Sequence, residues 1–454
     1  MVKHIWLFIC IVVLGAGVAC NPPKQADPLL AVLPEVEEEL ANGVLAAFYP
    51  RAVDTDSGGY FSAFDSAWNR LPDQQKMVVS QSRHIWTLTQ AAAFYPHDTS
   101  FAPMADHGYR FLSEVMWDTL HGGFYWMVSR SGKPVGDGIK QTYGEAFALY
   151  ALSAYYSLRK DSAALDLAKK TFYWIETHAH DSVHGGYHGF LTREGRVLFR
   201  TNAKPTAETI GLKDQNVMIH LLEAFTALYA VWPDPLVRTR LEECLRLIRD
   251  TITQPRGYLH LYFFPDWTPY SLRDSSEAVR QRLHYYSDHV SGGHDVETAF
   301  LMLEAAEALG WEGEEMEKTR TIGRRMLDHC LDNLWDGEKG GIYDQGYYYE
   351  KNGPITVVNH HKNWWAQAEG LNAWLLFHTL YPGDPRYPEA FLKQWKYIKT
   401  YVSDSTHRGW YSLGLDTAPE ASGGNKAHIW KASYHDGRSL MHVSHLLKKR
   451  QGDN

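Results

Sequence analysis

The chain has 454 residues, of which 44% are hydrophobic and 13% are aromatic, including 16 Trp and 27 Tyr. This composition supplies one large core, and barrel folds of this length often form a single domain. The formal net charge is −8 with mixed signs along the chain, which argues against a nucleic-acid-binding protein. Beyond residue 20 only Cys244 and Cys330 are present, so we expect two buried free thiols rather than a disulfide framework or a zinc site.

The N-terminus is typical of an export signal. A basic start, Lys3-His4, precedes an apolar run over residues 5–18 that is too short to span a membrane as a stable helix. Residues 17–20, Gly-Val-Ala-Cys, resemble a bacterial lipobox, although Gly replaces the usual Leu. We predict export to the periplasm or to a membrane-anchored lipoprotein through Cys20, with plain cleavage and secretion as the alternative. The predicted division is a signal over 1–20, a tether over 21–30 and one domain over 31–454.

A glycine turn followed by a large apolar residue recurs through the rest of the chain. Its second glycine falls at residues 59, 123, 186, 257, 341 and 409. This spacing suits two helices of ordinary length with their loops. Glycine allows a tight turn there, and the residue that follows it begins a short extended segment.

A helix start lies between each pair of turns, and the segment after it is apolar around most of its surface, as in a buried helix. The alternate segments are amphipathic, as expected for outer helices. The sequence therefore predicts an all-α (α/α)6 barrel of six inner and six outer helices, with short β-hairpins or extended loops at its mouth. The six predicted starts lie at Arg83, Lys140, Lys213, Gly293, Lys362 and Lys431.

Polar residues gather at these predicted inner-helix N-termini. Helix N-termini favour anionic groups, including a developing oxyanion. Because the polar heads recur in all six repeats, we expect the active site at this end of the barrel.

Two histidines lead the candidates for acid–base chemistry. His294 and Glu297 are three residues apart and share a helix face, so the carboxylate could hold the imidazole's tautomer; a helix cap or a surface pair is the alternative. His435 begins the last inner helix, with Arg438 one turn later. Because they lie at the starts of two different inner helices, His294 and His435 could approach one substrate from different sides.

The other candidates are polar or aromatic residues on the same helices. Asn216 and His220 share one face, and a polar layer inside the barrel is the alternative reading. Arg83 suits an enediolate or carbonyl oxygen. Of two adjacent tryptophans, we expect one to face the funnel and the other to pack outward. The remaining candidate sugar contacts are Tyr143, Phe147, Trp364, Trp365, Glu369 and Trp430.

No phosphate-binding loop, dinucleotide fingerprint or zinc motif occurs in the sequence. We therefore expect neither a cofactor nor a metal ion, and the chemistry must come from side chains alone.

Six motifs, in order along the chain, carry a resemblance to the N-acylglucosamine 2-epimerase family, in particular to its cellobiose and mannobiose 2-epimerase branch. They are GGFYW at 122–126, KQTYGEAFALYALSAYY from Lys140, NVMIHLLEA from Asn216, GHDVET from Gly293, WWAQAEG from Trp364 and WKASYHDGR from Trp430. The resemblance covers nearly the whole mature chain. One departure is Met218, which stands where many members have the first histidine of a His-x-His.

The resemblance implies roles for the matching residues. His294 and His435 match the family's two catalytic histidines, and His220 matches a histidine linked with ring opening. Arg83 and Glu297 match its arginine and carboxylate. The positions that match sugar contacts are Tyr143, Asn216, Trp364 or Trp365, and Trp430.

The implied reaction is epimerisation at C2 of the reducing-end sugar of a disaccharide or oligosaccharide, through ring opening and a cis-enediolate. Histidine suits it because its pKa of about 6.5 allows either acid or base behaviour near neutral pH. N-acylglucosamine epimerisation and aldose–ketose isomerisation remain alternatives on the same scaffold. More distant are a glycoside hydrolase using Asp295 and Glu297, and a carbohydrate-binding lipoprotein without activity. We expect a monomer or weak homodimer, with membrane contact only through a lipid anchor.

Overall fold

The computed structural model describes residues 27–200, 209–283 and 288–453. The predicted export signal and Cys20 lie outside these residues, as does most of the predicted tether. No helix in the described part of the chain is both long enough and apolar enough to cross a membrane.

Six inner helices form a closed ring in which each contacts the next, and the last contacts the first. Their residues are buried around almost the whole helix, as the apolar segments predict. The inner helices are Val78–Phe94, Thr142–Arg159, Gln215–Val231, Gly292–Ala308, Trp364–Leu380 and Tyr434–Asp453.

Six outer helices alternate with the inner ones, and four of them include a π-helical stretch. The first runs from Leu33–Glu38 through a π-helix, Glu39–Leu45, to Ala46–Phe48. The others are Phe101–Phe111 with Leu112–Met116, Ser162–His178, Pro235–Leu247 with Ile248–Ile252, Gly313–Asn333, and Arg386–Tyr397 with Ile398–Val402. The predicted (α/α)6 barrel is confirmed.

Short antiparallel strands at the mouth join successive repeats. In three of the four pairs, the strand before an inner helix pairs with a strand that follows the next glycine turn. The pairs are Lys76–Met77 with Met127–Val128, Lys140–Gln141 with Phe190–Leu191, Lys213–Asp214 with Tyr262–Phe263, and Gln345–Tyr347 with Thr356–Asn359. The predicted extended segments after the turns are therefore present.

The lysines before the inner helices bind the glycine turns rather than a substrate, which corrects our interpretation of the polar heads. Lys213 Nζ lies 2.7 Å from Asp181 Oδ2 and 2.6 Å from the Gly185 carbonyl oxygen, and its side chain is fully buried. Each such lysine closes the Asp-to-Gly turn that precedes it. The same pairing joins Lys76 to Asp54, Lys140 to Asp118, Lys362 to Asp336 and Lys426 to Asp404.

A second repeated contact ties the inner helix to the residue after the turn. Gln81 Oε1 accepts a hydrogen bond from the Tyr60 backbone N–H, at 2.8 Å. The turn needs glycine because Gly59 has φ +65°, and an added Cβ would lie 2.5 Å from Gln81 Oε1. Glu145, Asp295 and Gln367 make the equivalent bond in other repeats. These two contacts explain most of the polar pattern at the inner-helix starts.

The first outer helix closes the ring against the last inner helix. Glu39 Oε1 accepts hydrogen bonds from Trp410 Nε1 at 2.7 Å and from Ser403 Oγ at 2.8 Å. Close to the two ends of the described chain, Asp27 Oδ2 lies 2.5 Å from Arg450 Nε. The two ends of the barrel sequence therefore meet in space.

Cys244 and Cys330 are free and fully buried, which confirms the prediction of two unpaired thiols.

Candidate active site

A cavity of about 280 Å³ opens at the predicted mouth. Ten of the twelve residues singled out as catalytic or substrate-binding candidates line it, and the other two, Phe147 and Glu369, contact lining residues from below. Nine of the ten lie within the first six residues of an inner helix, and Trp430 lies four residues before the last one. They are Arg83, Tyr143, Asn216, His220, His294, Glu297, Trp364, Trp365, Trp430 and His435.

His294 is a half-buried imidazole that no carboxylate holds among the described residues. Within the described residues, its Nδ1 has no hydrogen-bond partner. Glu297 hydrogen-bonds Arg438 Nη2 instead, so the predicted orienting bond from Glu297 to His294 is wrong. Desolvation lowers the pKa of His294 to about 3, so the ring is neutral at neutral pH and its unprotonated nitrogen can accept a proton.

The other two histidines each contact a buried carboxylate through Nδ1. His220 Nδ1 lies 3.0 Å from Glu223 Oε2, and His435 Nδ1 lies 2.6 Å from Glu369 Oε1. Burial opposes ionisation of Glu223, but Arg438 and His220 outweigh it and lower its pKa to about 2. An ionised carboxylate only accepts, so His220 donates from Nδ1, which leaves Nε2 for the cavity. Burial also lowers the pKa of His435 and raises that of Glu369 to about 7.

Arg438 connects these groups beneath the cavity. Its Nη1 donates to Glu223, and its Nη2 donates to Glu297 and, at 2.7 Å, to Glu369. Tyr434 donates its hydroxyl proton to Glu223. One guanidinium faces three carboxylates, so the buried cluster has a negative excess that favours a proton on an adjoining imidazole or carboxyl.

Arg83 is held at the rim by three groups. Its Nη1 donates to the Trp430 carbonyl oxygen at 2.7 Å, its Nη2 lies 3.2 Å from the Tyr143 hydroxyl, and its guanidinium sits 4.5 Å from the Phe147 ring centre. Nε is buried and has no partner in the described chain. A fixed guanidinium with a spare N–H suits an oxyanion.

Both adjacent tryptophans line the cavity, so the prediction that one packs outward is wrong. Trp365 lies 4.7 Å from the His294 ring and 5.8 Å from the His435 ring, between centroids. Trp364 contacts His428 at 5.8 Å. Successive helical residues are only about 100° apart, and at the first turn of an inner helix the funnel is wide enough to accept both rings.

Sequence reasoning missed the carboxylate Glu223 and the linking role of Arg438. The signal for Glu223 was available, because His220-x-x-Glu223 repeats the His294-x-x-Glu297 spacing. Arg438 was noted only as lying one turn after His435. Its three carboxylate partners come from three other helices, so spacing along the chain does not reveal them.

The described residues include one group with the separations of a metal site: Glu297, Glu369 and His435 offer atoms within 4.8 Å of one another. Both carboxylates already bind the Arg438 guanidinium. A further cation there would have to overcome that positive charge. The residues present therefore fit an arginine-neutralised proton-transfer site better than a metal centre.

The cavity as a whole suits proton abstraction beside a carbonyl. Two neutral imidazoles on the fourth and sixth inner helices lie 4.7 and 5.8 Å from the Trp365 ring, between centroids, and Arg83 supplies a fixed positive charge. The carboxylate pair required by the hydrolase alternative is not available, because Asp295 is buried and bonds the Leu259 backbone N–H at 2.9 Å.

The comparisons with known proteins agree with this geometry. The sequence profile of the N-acylglucosamine 2-epimerase family matches residues 59–435. A cellobiose 2-epimerase from Bacteroides fragilis is 30% identical over 414 residues, which cover 90% of this chain and 97% of that protein. The solved structure of a cellobiose 2-epimerase from Spirochaeta thermophila has a TM-score of 0.80 and 27% identity, and the match covers 95% of this chain and all of that one.

A relative with another printed activity is also similar to this chain. A D-mannose isomerase from Thermobifida fusca is 24% identical over 80% of this chain and 83% of that protein. The family matches the resemblance drawn from the six motifs, which is thereby confirmed. The chain belongs to the N-acylglucosamine 2-epimerase family and is a carbohydrate epimerase.

Proposed function

We propose that the protein inverts C2 of the reducing-end sugar of a β-linked disaccharide or oligosaccharide, with cellobiose and mannobiose as the substrates of choice. The observation that carries the proposal is the convergence of two imidazoles from different inner helices, His294 and His435, on one cavity beside Trp365. Inversion of a carbon needs proton removal from one face and return to the other, and two bases from different helices meet that requirement.

The reaction begins with opening of the sugar ring to the aldehyde. His220 is placed for this step, since its Nδ1 is engaged by Glu223 and its Nε2 is left for a ring oxygen. One of His294 and His435 then removes the C2 proton, and a cis-enediolate forms. Arg83 stabilises the oxygen that becomes negative, and such fixed donors usually contribute the largest share of catalysis.

Rotation about C2–C3 then presents the other face of the enediolate. The second histidine returns a proton to C2, and the ring closes as the epimer. His435 is the better-supplied proton donor, since Glu369 lies 2.6 Å from its Nδ1. The whole sequence exchanges one C–H bond for another and uses no oxidant or cofactor.

The export predicted from residues 1–20 favours a disaccharide or longer sugar as substrate, because phosphorylated and nucleotide-linked sugars are retained in the cytoplasm. We propose a periplasmic or lipid-anchored protein on the basis of residues 1–20 and Cys20. Metabolic labelling with a fatty acid, compared between the natural chain and Cys20→Ser, tests the anchor; no label on the natural chain rejects it.

The test of function is incubation of the purified chain with cellobiose and with mannobiose in deuterated water, followed by chromatography and proton NMR. We expect a C2 epimer of unchanged saccharide length, with deuterium at C2. A ketose product would instead establish an aldose–ketose isomerase, which shares the enediolate and differs in where the proton returns. If N-acetylglucosamine or mannose is converted and neither disaccharide is, the proposed catalytic residues stand and the proposed substrate class is rejected.

A further inference from the structure

A second hollow opens beside the catalytic cavity, at the same end of the barrel. Its volume is about 530 Å³, compared with about 280 Å³ for the cavity. Residues that follow the second glycine turn form much of it, and a neighbouring strand and its loop complete it. Its principal lining residues are Tyr125, Trp126, Val135, Asp137, Gln141 and Arg193; we refer to it as the mouth groove.

Aromatic rings connect the mouth groove to the catalytic cavity. The Tyr143 ring in the cavity lies 6.4 Å from the Trp430 ring, and the Trp430 ring lies 6.0 Å from the Trp126 ring in the groove. Trp430 is 44% exposed at the rim. Its backbone is fixed by the bond that Arg83 donates to its carbonyl oxygen. Successive rings of this kind offer flat apolar faces along one path, and the C–H faces of sugar rings pack on such surfaces.

The polar groups of the groove suit a neutral ligand that carries hydroxyl groups. Arg193 Nε lies 2.8 Å from Asp118 Oδ2, and Arg193 Nη2 donates to the Tyr125 hydroxyl at 2.8 Å. Arg193 therefore shares Asp118 with the buried Lys140 and is held in an ion pair. It is the sole lysine or arginine among the described residues that line the groove. The exposed Asp137 and the half-buried Gln141 add hydrogen-bonding groups to the wall. A phosphorylated ligand would find no unpaired cation here.

One wall is a loop held close to Arg193. Gly138 has φ +80°, and an added Cβ would lie 3.4 Å from the Arg193 Cβ. Val135, on the same loop, is 39% exposed, and its backbone N–H bonds the Met127 carbonyl oxygen at 3.0 Å. The groove is thus a formed channel with two walls rather than an open surface.

We propose that the mouth groove binds the third and later units of a neutral β-linked oligosaccharide whose reducing end occupies the catalytic cavity. This inference rests on the proposed function and names its preferred substrate as a chain of three or more sugars. A unit stacked on Trp126 adds contacts that a disaccharide cannot make. Longer substrates then bind more tightly, while the chemistry at C2 is unchanged.

The test compares kcat/KM for cello- and manno-oligosaccharides of two, three and four units, measured with the full chain by chromatography of the epimers. We expect roughly a tenfold gain from two units to three, equivalent to about 1.4 kcal/mol, and we expect it mainly in KM. Trp126→Ala should remove most of this gain. Tyr173→Ala, which removes an exposed aromatic ring from an outer helix, is the matched control and should keep it.

A second pair of variants guards against misfolding of Trp126→Ala. Val135→Lys changes an exposed residue of the groove wall, and Val183→Lys changes one that is 79% exposed on another turn. The gain should fall in the first and persist in the second. If disaccharides are epimerised but kcat/KM does not rise from two units to three, the proposed role of the groove is wrong and the proposed function stands. A gain that survives both groove variants would also overturn it, and no epimerisation of any sugar would reject both proposals.

Discussion

At the scale of single residues, His294 and His435 face the same cavity with different partners. The Nδ1 of His294 has none within the described chain, whereas the Nδ1 of His435 contacts Glu369. The two imidazoles therefore enter the reaction with different proton supplies. This asymmetry predicts that one acts chiefly as a free base and the other chiefly as a proton donor in a given direction.

Asparagine at either histidine should lower kcat for epimerisation by roughly 100- to 10,000-fold, since general acid–base groups contribute at this level. Each variant keeps one base, so it should still exchange the C2 proton of one epimer with deuterated water. His294→Asn and His435→Asn should act on opposite epimers, which proton NMR of cellobiose and its epimer measures separately. Loss of exchange on both epimers in both variants would contradict a two-base mechanism.

The pair formed by Glu369 and His435 predicts a pH dependence. Burial raises the pKa of Glu369 to about 7, so the pair holds its proton below that pH and loses it as the pH rises. We expect kcat to fall about tenfold per pH unit on the alkaline side. Glu369→Gln removes the titrating carboxyl. The alkaline fall in kcat should therefore disappear or shift to another pH, while the KM for cellobiose changes little. If kcat of this variant still falls over the same pH range, the fall must come from the titration of another group.

At the scale of helices and turns, buried Lys–Asp pairs tie five of the six inner helices to the glycine turn before them. Lys213→Met would leave Asp181 and the Gly185 carbonyl oxygen without their buried cation. Breaking a buried pair from one side costs about 3–5 kcal/mol of unfolding free energy. Lys318 is 49% exposed and pairs with Asp250, so Lys318→Met should lower the unfolding free energy by less than about 1 kcal/mol. Urea unfolding followed by tryptophan fluorescence compares them, and equal losses would refute the structural role.

Most of the architecture could be predicted because turn and helix start recur in phase. The spacing of Gly59, Gly123 and Gly186 locates the repeats, and equal positions in a ring of repeats converge on one mouth. This is why separate motifs at His220, His294 and His435 meet at one cavity. The roles of the lysines could not be predicted in this way, because each partner aspartate precedes its lysine by 22 to 32 residues and only folding brings the two together.

The wrong predictions have a common cause. Glu297 lies on the right helix face to reach His294. It binds Arg438 from another helix instead, because a full positive charge attracts the carboxylate more strongly than a neutral imidazole does. The adjacent tryptophans were assigned from an isolated helix, whereas the funnel at the mouth exposes more than one face of its first turn. In both cases the deciding neighbour comes from elsewhere in the ring.

At the scale of the whole molecule, the ends of the barrel sequence lie side by side, as the contact of Asp27 with Arg450 shows. A short flexible linker between residues 453 and 27 should therefore be tolerated, with new termini at the exposed turn around Gly310. We expect this circular permutant to keep epimerase activity within about tenfold, because no inner helix is cut. Cutting after Ala224, inside the third inner helix, is the control and should abolish folding by circular dichroism. Similar activity in the two permuted proteins would contradict the requirement for an uncut ring of inner helices.

The closure between the first outer helix and the last inner helix also has a consequence for how the chain folds. Other neighbouring helices are close in sequence, whereas this seam joins residues about 400 positions apart, as in the pair of Glu37 with Lys448. Loop-closure entropy delays contacts of such long range. The seam should therefore form last, and a chain still emerging from synthesis exposes two apolar edges until its final helix is complete. That interval is when the protein is most prone to aggregation and most dependent on chaperones.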